Sequence, residues 1–226
     1  MTDTMALSAH LRESTAAAHA RLEALPFATR LEQGRLPLAA YIHFLRGMAA
    51  LHQPLEQAQP QRQDDRIAAV WAPAMSRSAA LHQDLAYFSQ QPVRAIPAAT
   101  AATTALASQV QQSLTEQPIS AVGYLYVLAG SALGGKVLSK WAARSLRLSP
   151  DRGLAYLSGQ GEVTAADWRE FRQRLDALDL MATERAAVTA AAVQAFAGLH
   201  ELMAAIHDFA HRGCPRIARG SIGSRR

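Results

Sequence analysis

The 226-residue chain has a single cysteine, Cys214, so it can form neither an internal disulfide nor a cysteine-based metal cluster. Aromatic residues make up only 6% of it, and no segment alternates Val, Ile, Thr or Tyr with polar residues over the length of a strand. That excludes a sheet and predicts an all-α protein, which the abundance of alanine favours. No apolar run reaches the ~18 to 20 uncharged residues needed to span a bilayer. The opening MTDTMALSAHLRES is polar and acidic where a signal peptide has a basic start and an apolar run. A cytoplasmic protein without membrane association is the expectation. A G-x-G-x-x-G fingerprint is missing, which argues against a built-in flavin or nicotinamide site. The chain also lacks H-E-x-x-H and E-x-x-H pairs, which argues against a di-iron carboxylate bundle. Finally, HRGCPRIARGSIGSRR at the C-terminus holds five arginines and no acid, enough to account for the net charge of +5. The rest is near neutral and carries no basic stripe interleaved with aromatics, so no nucleic-acid partner is expected.

Helix signals follow one another along the remainder. Thr2, Asp3 or Thr4 can cap a first helix to about Leu25, and LPFATRLEQGRLP reads as a connector. A second helix starts near Leu38 and runs toward Gln59, with Pro54 kinking or ending it. One or two helices broken near Pro73 come next, then one from about Ala98 to Gln117, and then a glycine-bearing helix opened by Pro118 and ending near Arg147. YLSGQGEV reads as a turn, Thr164 as the cap of a helix to about Leu178, and the stretch from Thr183 to His211 as a last helix. The reading is a single-domain bundle of seven or eight helices over residues 1–211, with a kinked glycine-rich helix, and a basic, disordered tail over 212–226.

Two places stand out, each open to a structural or a functional explanation. YVLAGSALGGKVLSKW carries Gly130, Gly134 and Gly135 inside a helix. Each costs about 1 kcal/mol relative to alanine, roughly 3 kcal/mol together. Gly130 and Gly134 are four apart and share a face, so one side of that helix is bare backbone, suited to close helix packing, a hinge or an approaching ligand. The other place is His19, flanked in LRESTAAAHARLEAL by Ala16, Ala17, Ala18 and Ala20, which leave space for a flat object against the imidazole. His10, His82 and His211 read as surface residues. His43, His52, His200 and His207 read as hydrogen-bonded, partly buried imidazoles.

These residues resemble the haem oxygenases, in particular the bacterial, biliverdin-producing members, over nearly the whole chain from Leu11 to about His207. LRESTAAAHARLE is similar to the family's first helix, where His19 takes the place of the proximal ligand to haem iron. GYLYVLAGSALGGKVL is similar to its distal helix. More weakly, YLSGQGEVTAADWREFRQRL is similar to its propionate-binding turn and helix.

The resemblance implies an enzyme that uses dioxygen and external electrons to cleave haem at a meso carbon, giving biliverdin, carbon monoxide and iron. Haem is then both cofactor and substrate. The implied catalytic surface is the distal backbone at Gly130, Ser131, Gly134 and Gly135. Haem contacts are implied for Arg12, His19, Tyr126, Lys136, Arg172 and Phe196, and iron ligation for His19. Electrons would come from a ferredoxin, a flavin reductase or ascorbate, and a bilin-binding photoreceptor is a candidate recipient of the product. Ser131 departs from the aspartate of the animal enzymes: a hydroxyl holds water but no charge. Ala129 stands where bacterial relatives often carry an acid. A haem carrier or sensor that leaves the macrocycle intact is the competing reading.

Overall fold

The computed structural model describes residues 5–58, 64–72, 75–149, 152–160 and 165–212. Among these there are eleven α-helices and no strands. They are α1 (Leu7–Glu23), α2 (Phe27–Glu32), α3 (Leu38–Ala58), α4 (Asp65–Val70), α5 (Ser78–Tyr87), α6 (Pro97–Glu116), α7 (Ala121–Ala132), α8 (Gly135–Leu146), α9 (Ala155–Gln160), α10 (Ala165–Asp176) and α11 (Ala182–Arg212). The all-α bundle is as the composition predicts, with more and shorter helices. The connector after α1 contains α2, and the supposed turn at residues 156–163 begins inside α9. α11 takes in Arg212, the first residue of the expected tail; residues 213–226, with Cys214, and the proposed caps at Thr2, Asp3, Thr4 and Thr164 lie outside the described residues.

α11 is the axis of the fold. It packs against α1, α3, α6 and α7 and buries Val188, Ala192, Ala195, Leu202 and Ile206. By length and apolar content α11 could cross a bilayer, but these contacts make it the core helix of the bundle. Small residues let its neighbours come close. A Cβ on Gly123 of α7 would overlap the Val188 carbonyl and the Ala191 side chain of α11, so this glycine serves helix packing. α3 continues past Pro54 to Ala58, so the proline neither ends the helix nor starts a new one.

The glycine-rich helix expected over residues 118–147 is two helices. A 3-10 turn (Pro118–Ser120) leads into α7, and α8 leaves at 60° after a break at Leu133 and Gly134. α7 is buried almost throughout, whereas α8 is amphipathic and packs against α2 and α9. α8 closes on Arg147 in the left-handed conformation (φ 55°), with Leu148 N–H bonded to the Ala143 carbonyl at 3.0 Å.

Several helices take their N-terminal caps from distant carboxylates. At the start of α1 the cap position is Ala6, which has no side chain to offer, and Asp176 at the end of α10 accepts the Ser8 N–H and hydroxyl instead. Glu56 of α3 accepts Arg77 N–H (2.6 Å) and Ser78 N–H (2.9 Å) at the head of α5. Asp84 of α5 accepts Ala155 N–H (2.8 Å) and Tyr156 N–H (2.9 Å) at the head of α9. The backbone N–H groups so bonded are donors that a helix start leaves without an intrahelical partner.

Candidate functional site

α1, α7, α10 and α11 enclose a cavity of about 450 Å³, within the range of small-molecule sites. α1 contributes Arg12, Thr15, Ala16, His19 and Leu22; α7 contributes Tyr126, Val127, Gly130 and Ser131. Leu133 at the break, Trp168 of α10, and Phe196 and Leu199 of α11 complete the wall. Sequence reasoning places six of these residues at the site: Arg12, His19, Tyr126, Gly130, Ser131 and Phe196. It misses Trp168, which lies in the quoted DWREFR one turn before Arg172, on the same helix face.

His19 stands on α1 with half its side chain exposed. The Phe196 ring meets it edge-on at 5.4 Å and 84°. Its Nδ1 lies 3.3 Å from Glu23 Oε2, one turn further along. A carboxylate at that nitrogen favours a proton on Nδ1 and leaves Nε2 as the lone-pair donor, the tautomer suited to binding a metal.

Gly130 presents backbone to the cavity. A Cβ there would meet nothing nearer than the Trp168 ring at 3.6 Å, an ordinary contact, and one on Gly134 would meet only the Ser131 carbonyl at 3.6 Å. Neither glycine is required by packing, unlike Gly123. Ser131 donates its hydroxyl hydrogen to the Leu128 carbonyl at 2.9 Å, which leaves the oxygen lone pairs as acceptors. Gly134 and Gly135 lie at the α7–α8 break, outside the cavity wall, and Lys136 follows them, exposed.

The polar end of the cavity gathers around Tyr126. Burial raises its phenol pKa, while the Thr15 hydroxyl and the charges of Arg12 and Arg172 act in the opposite direction. Arg172 does not itself line the cavity. Its Nε is buried without a hydrogen-bond partner among the described residues. Arg12, on the cavity wall, suits a ligand that carries a carboxylate, and the unpartnered Arg172 donor is a second candidate from α10. A partly apolar ligand with an acidic group at the Arg12 end and an atom that accepts an imidazole nitrogen therefore fits the residues present.

Three other polar ring side chains belong to the core. Tyr124 is fully buried and hydrogen-bonds Ser113 and Gln194. His43 accepts the Ile96 N–H at the head of α6, and His52 joins Tyr156 to Glu56.

Residues 5–205 match the family model described as "Heme oxygenase". A curated protein named heme oxygenase 1 from Gallus gallus is 27% identical over 222 residues, covering 93% of this chain and 75% of the relative. A heme oxygenase from Takifugu rubripes is 25% identical over 194 residues, covering 84% and 70%. The fold is similar to that of Synechocystis heme oxygenase-1 solved in complex with heme, with a TM-score of 0.78 at 21% identity over 92% of this chain and 96% of that one. The Neisseria meningitidis enzyme aligns over 98% and 99% with a TM-score of 0.60 and 21% identity. With the family model spanning nearly all of the helical body, the chain belongs to the haem oxygenase family and is a haem oxygenase.

Proposed function

We propose that the cavity between α1 and α7 is the haem site, with His19 Nε2 as the iron ligand and the backbone at Gly130 and Ser131 covering the opposite face. The products would be biliverdin, carbon monoxide and iron. The observation that carries this reading is the apposition, across one cavity, of a carboxylate-oriented imidazole and a bare helix backbone. When bound, haem supplies the redox-active iron and the porphyrin edge that is oxidised.

The chain's own residues have distinct parts in this reading. Glu23 holds the His19 proton on Nδ1 and keeps Nε2 available. Gly130 lets the helix lie against the macrocycle with no side chain to block dioxygen. Ser131 Oγ, its hydrogen already donated to Leu128, can accept a hydrogen bond from water and so hold it near the reacting edge. Arg12 and Arg172 receive the propionates beside Tyr126, and Phe196 supports the imidazole from α11. The break at Gly134 and Gly135 turns α8 away from the distal face, with Lys136 as a further cation beyond it. Electrons would be delivered by a separate ferredoxin or flavin reductase, or by ascorbate in vitro.

The test uses the protein with haemin. Wild type should form a sharp Soret band and, with ascorbate or a ferredoxin system in air, bleach it to a broad bilin absorbance. His19→Ala should lose the histidine-ligated spectrum and nearly all turnover while remaining folded, since alanine suits a helix. A wild-type spectrum and rate in His19→Ala would overturn the ligand assignment. A Soret band that survives reductant and air in wild type would favour a carrier.

A further inference from the structure

We propose that the exposed face of α8 is a docking surface for an anionic phospholipid bilayer, and that docking there brings the rim of the cavity to the membrane. The surface is carried by α8 itself. Its use, the uptake of haem from lipid, rests on the cavity being the haem site.

α8 packs on α2 and α9 and buries Gly135 and Ala142. On the opposite side of the helix it exposes Lys136, Val137, Lys140, Arg144 and Arg147, which the helical period gathers onto one face. The sequence has no Asp or Glu between Glu116 and Asp151, so this segment supplies no carboxylate of its own to neutralise the face. Val137 is 47% exposed, and Leu133, four residues earlier at the break where α8 turns 60° from α7, is 43% exposed. Leu133 also lines the cavity and therefore stands on its rim. Cations, exposed aliphatic side chains and the cavity rim thus follow one another along a single surface.

The composition of this face favours lipid over protein. Protein interfaces are enriched in aromatic residues and depleted in lysine. α8 exposes two lysines and two arginines around an aliphatic edge, and its one aromatic residue, Trp141, is half-buried. Basic side chains are drawn to the negative potential of anionic lipid, and the aliphatic edge enters the headgroup region. No membrane span is required for such docking, so the polar N-terminus and the lack of a long uncharged apolar run, which led to the expectation of no membrane association, do not bear on it. The chemistry of the ligand agrees. A macrocycle with an apolar body and carboxylate arms partitions into bilayers, and a rim held at the lipid surface shortens its path to the cavity.

The experiment is co-sedimentation of the full chain with vesicles of equal parts phosphatidylcholine and phosphatidylglycerol, and with phosphatidylcholine alone. Wild type should prefer the anionic vesicles, less so as salt is raised. Lys140→Glu with Arg144→Glu should lower that partition by about tenfold or more while leaving far-ultraviolet dichroism unchanged. Val137→Ser should cause a smaller loss that salt does not alter. A variant with Arg216, Arg219, Arg225 and Arg226 all changed to Gln has the same net charge as the α8 double variant and should keep most of the binding. Wild type that ignores anionic vesicles overturns the proposal, as does a tail variant that loses as much binding as the α8 variant. Capture of an acidic ferredoxin through α8 without vesicle binding would assign the face to a protein and overturn it too. Wild type should also take haemin from loaded anionic vesicles faster than the α8 variant, with equal uptake from solution; equal uptake from vesicles overturns the delivery role. Failure of wild type to bind haemin from solution would overturn the haem site and leave the vesicle partition untouched, so the two failures are distinguishable.

Discussion

Asp176, near the end of α10, caps α1 through Ser8: its Oδ1 accepts the Ser8 N–H at 2.7 Å and its Oδ2 accepts the Ser8 hydroxyl at 2.8 Å. The helix that carries His19 is thereby tied to the helix that carries Trp168 and Arg172. Asp176→Ala should cost about 1 kcal/mol, the usual worth of an N-cap, and Asp176→Asn, which keeps one acceptor, should cost less. Urea denaturation reads the difference. Equal stability of all three proteins would show that water replaces the cap without loss.

The three glycines of α7 and the break should separate in their behaviour. Gly123→Ala drives a Cβ into the Val188 carbonyl of α11, and overpacking of this kind costs about 1–3 kcal/mol. Gly134→Ala meets only the Ser131 carbonyl, at an ordinary contact distance of 3.6 Å, and should stabilise the apoprotein by about 0.4–1 kcal/mol. Gly130→Ala should leave the apoprotein intact, because Trp168 stands at ordinary contact distance, yet weaken haemin binding. Thermal melts of the apoproteins and haemin titrations decide this. A destabilised Gly130→Ala with unaltered haemin affinity would assign that glycine to packing.

The helical class is legible in the sequence from its alanine content, and two local signals, a small-residue frame around an imidazole and glycine against propensity, single out His19 and Gly130, both of which line the cavity, while Gly134 and Gly135 do not. Helix starts are less legible. The caps of α1, α5 and α9 come from residues 168, 21 and 71 positions away, so Ala6 and Arg77 look nothing like cap residues in sequence. Trp168 escapes for a related reason. An aromatic on a helix face has the same local pattern whether it meets the core or a cavity, and only the placement of α10 beside α7 distinguishes the two.

Acid should loosen the fold partly through Glu56. Burial pushes its carboxyl pKa up, but the His52 ring and the Arg77 and Ser78 N–H groups outweigh burial and hold it below the ordinary value of 4.5. A depressed folded pKa means stability that is present above 4.5 and lost as pH falls through the lower folded value. Asp84 acts in the opposite sense. Burial outweighs its bonds from Tyr156 and Ala155 and raises it above 3.8, so its contribution is full below that value and falls as pH rises through the folded pKa. Unfolding free energy measured from pH 3 to 6 should therefore lose part of its low-pH decline in Glu56→Gln and become steeper in that decline in Asp84→Asn. Parallel profiles for both variants and wild type would remove the two carboxylates from the acid response.

Arg12 and Arg172 can be tested without turnover, because both bear on Tyr126. Burial already raises that phenol, and the two guanidiniums partly offset the rise. Arg12→Ala with Arg172→Ala should therefore move the Tyr126 titration further upward, read by ultraviolet difference spectroscopy against Tyr126→Phe. The same double variant should release haemin faster. Charge-assisted contacts contribute about 1.5–3 kcal/mol each when shielded from water and much less when exposed. Arg12 is exposed and Arg172 half-buried, so the Arg172 single variant should account for the larger share. Apoprotein stability should change little. A phenol titration that stays in place would show that the guanidiniums do not bear on Tyr126, and a haemin release rate equal to wild type would show that the propionates are held elsewhere.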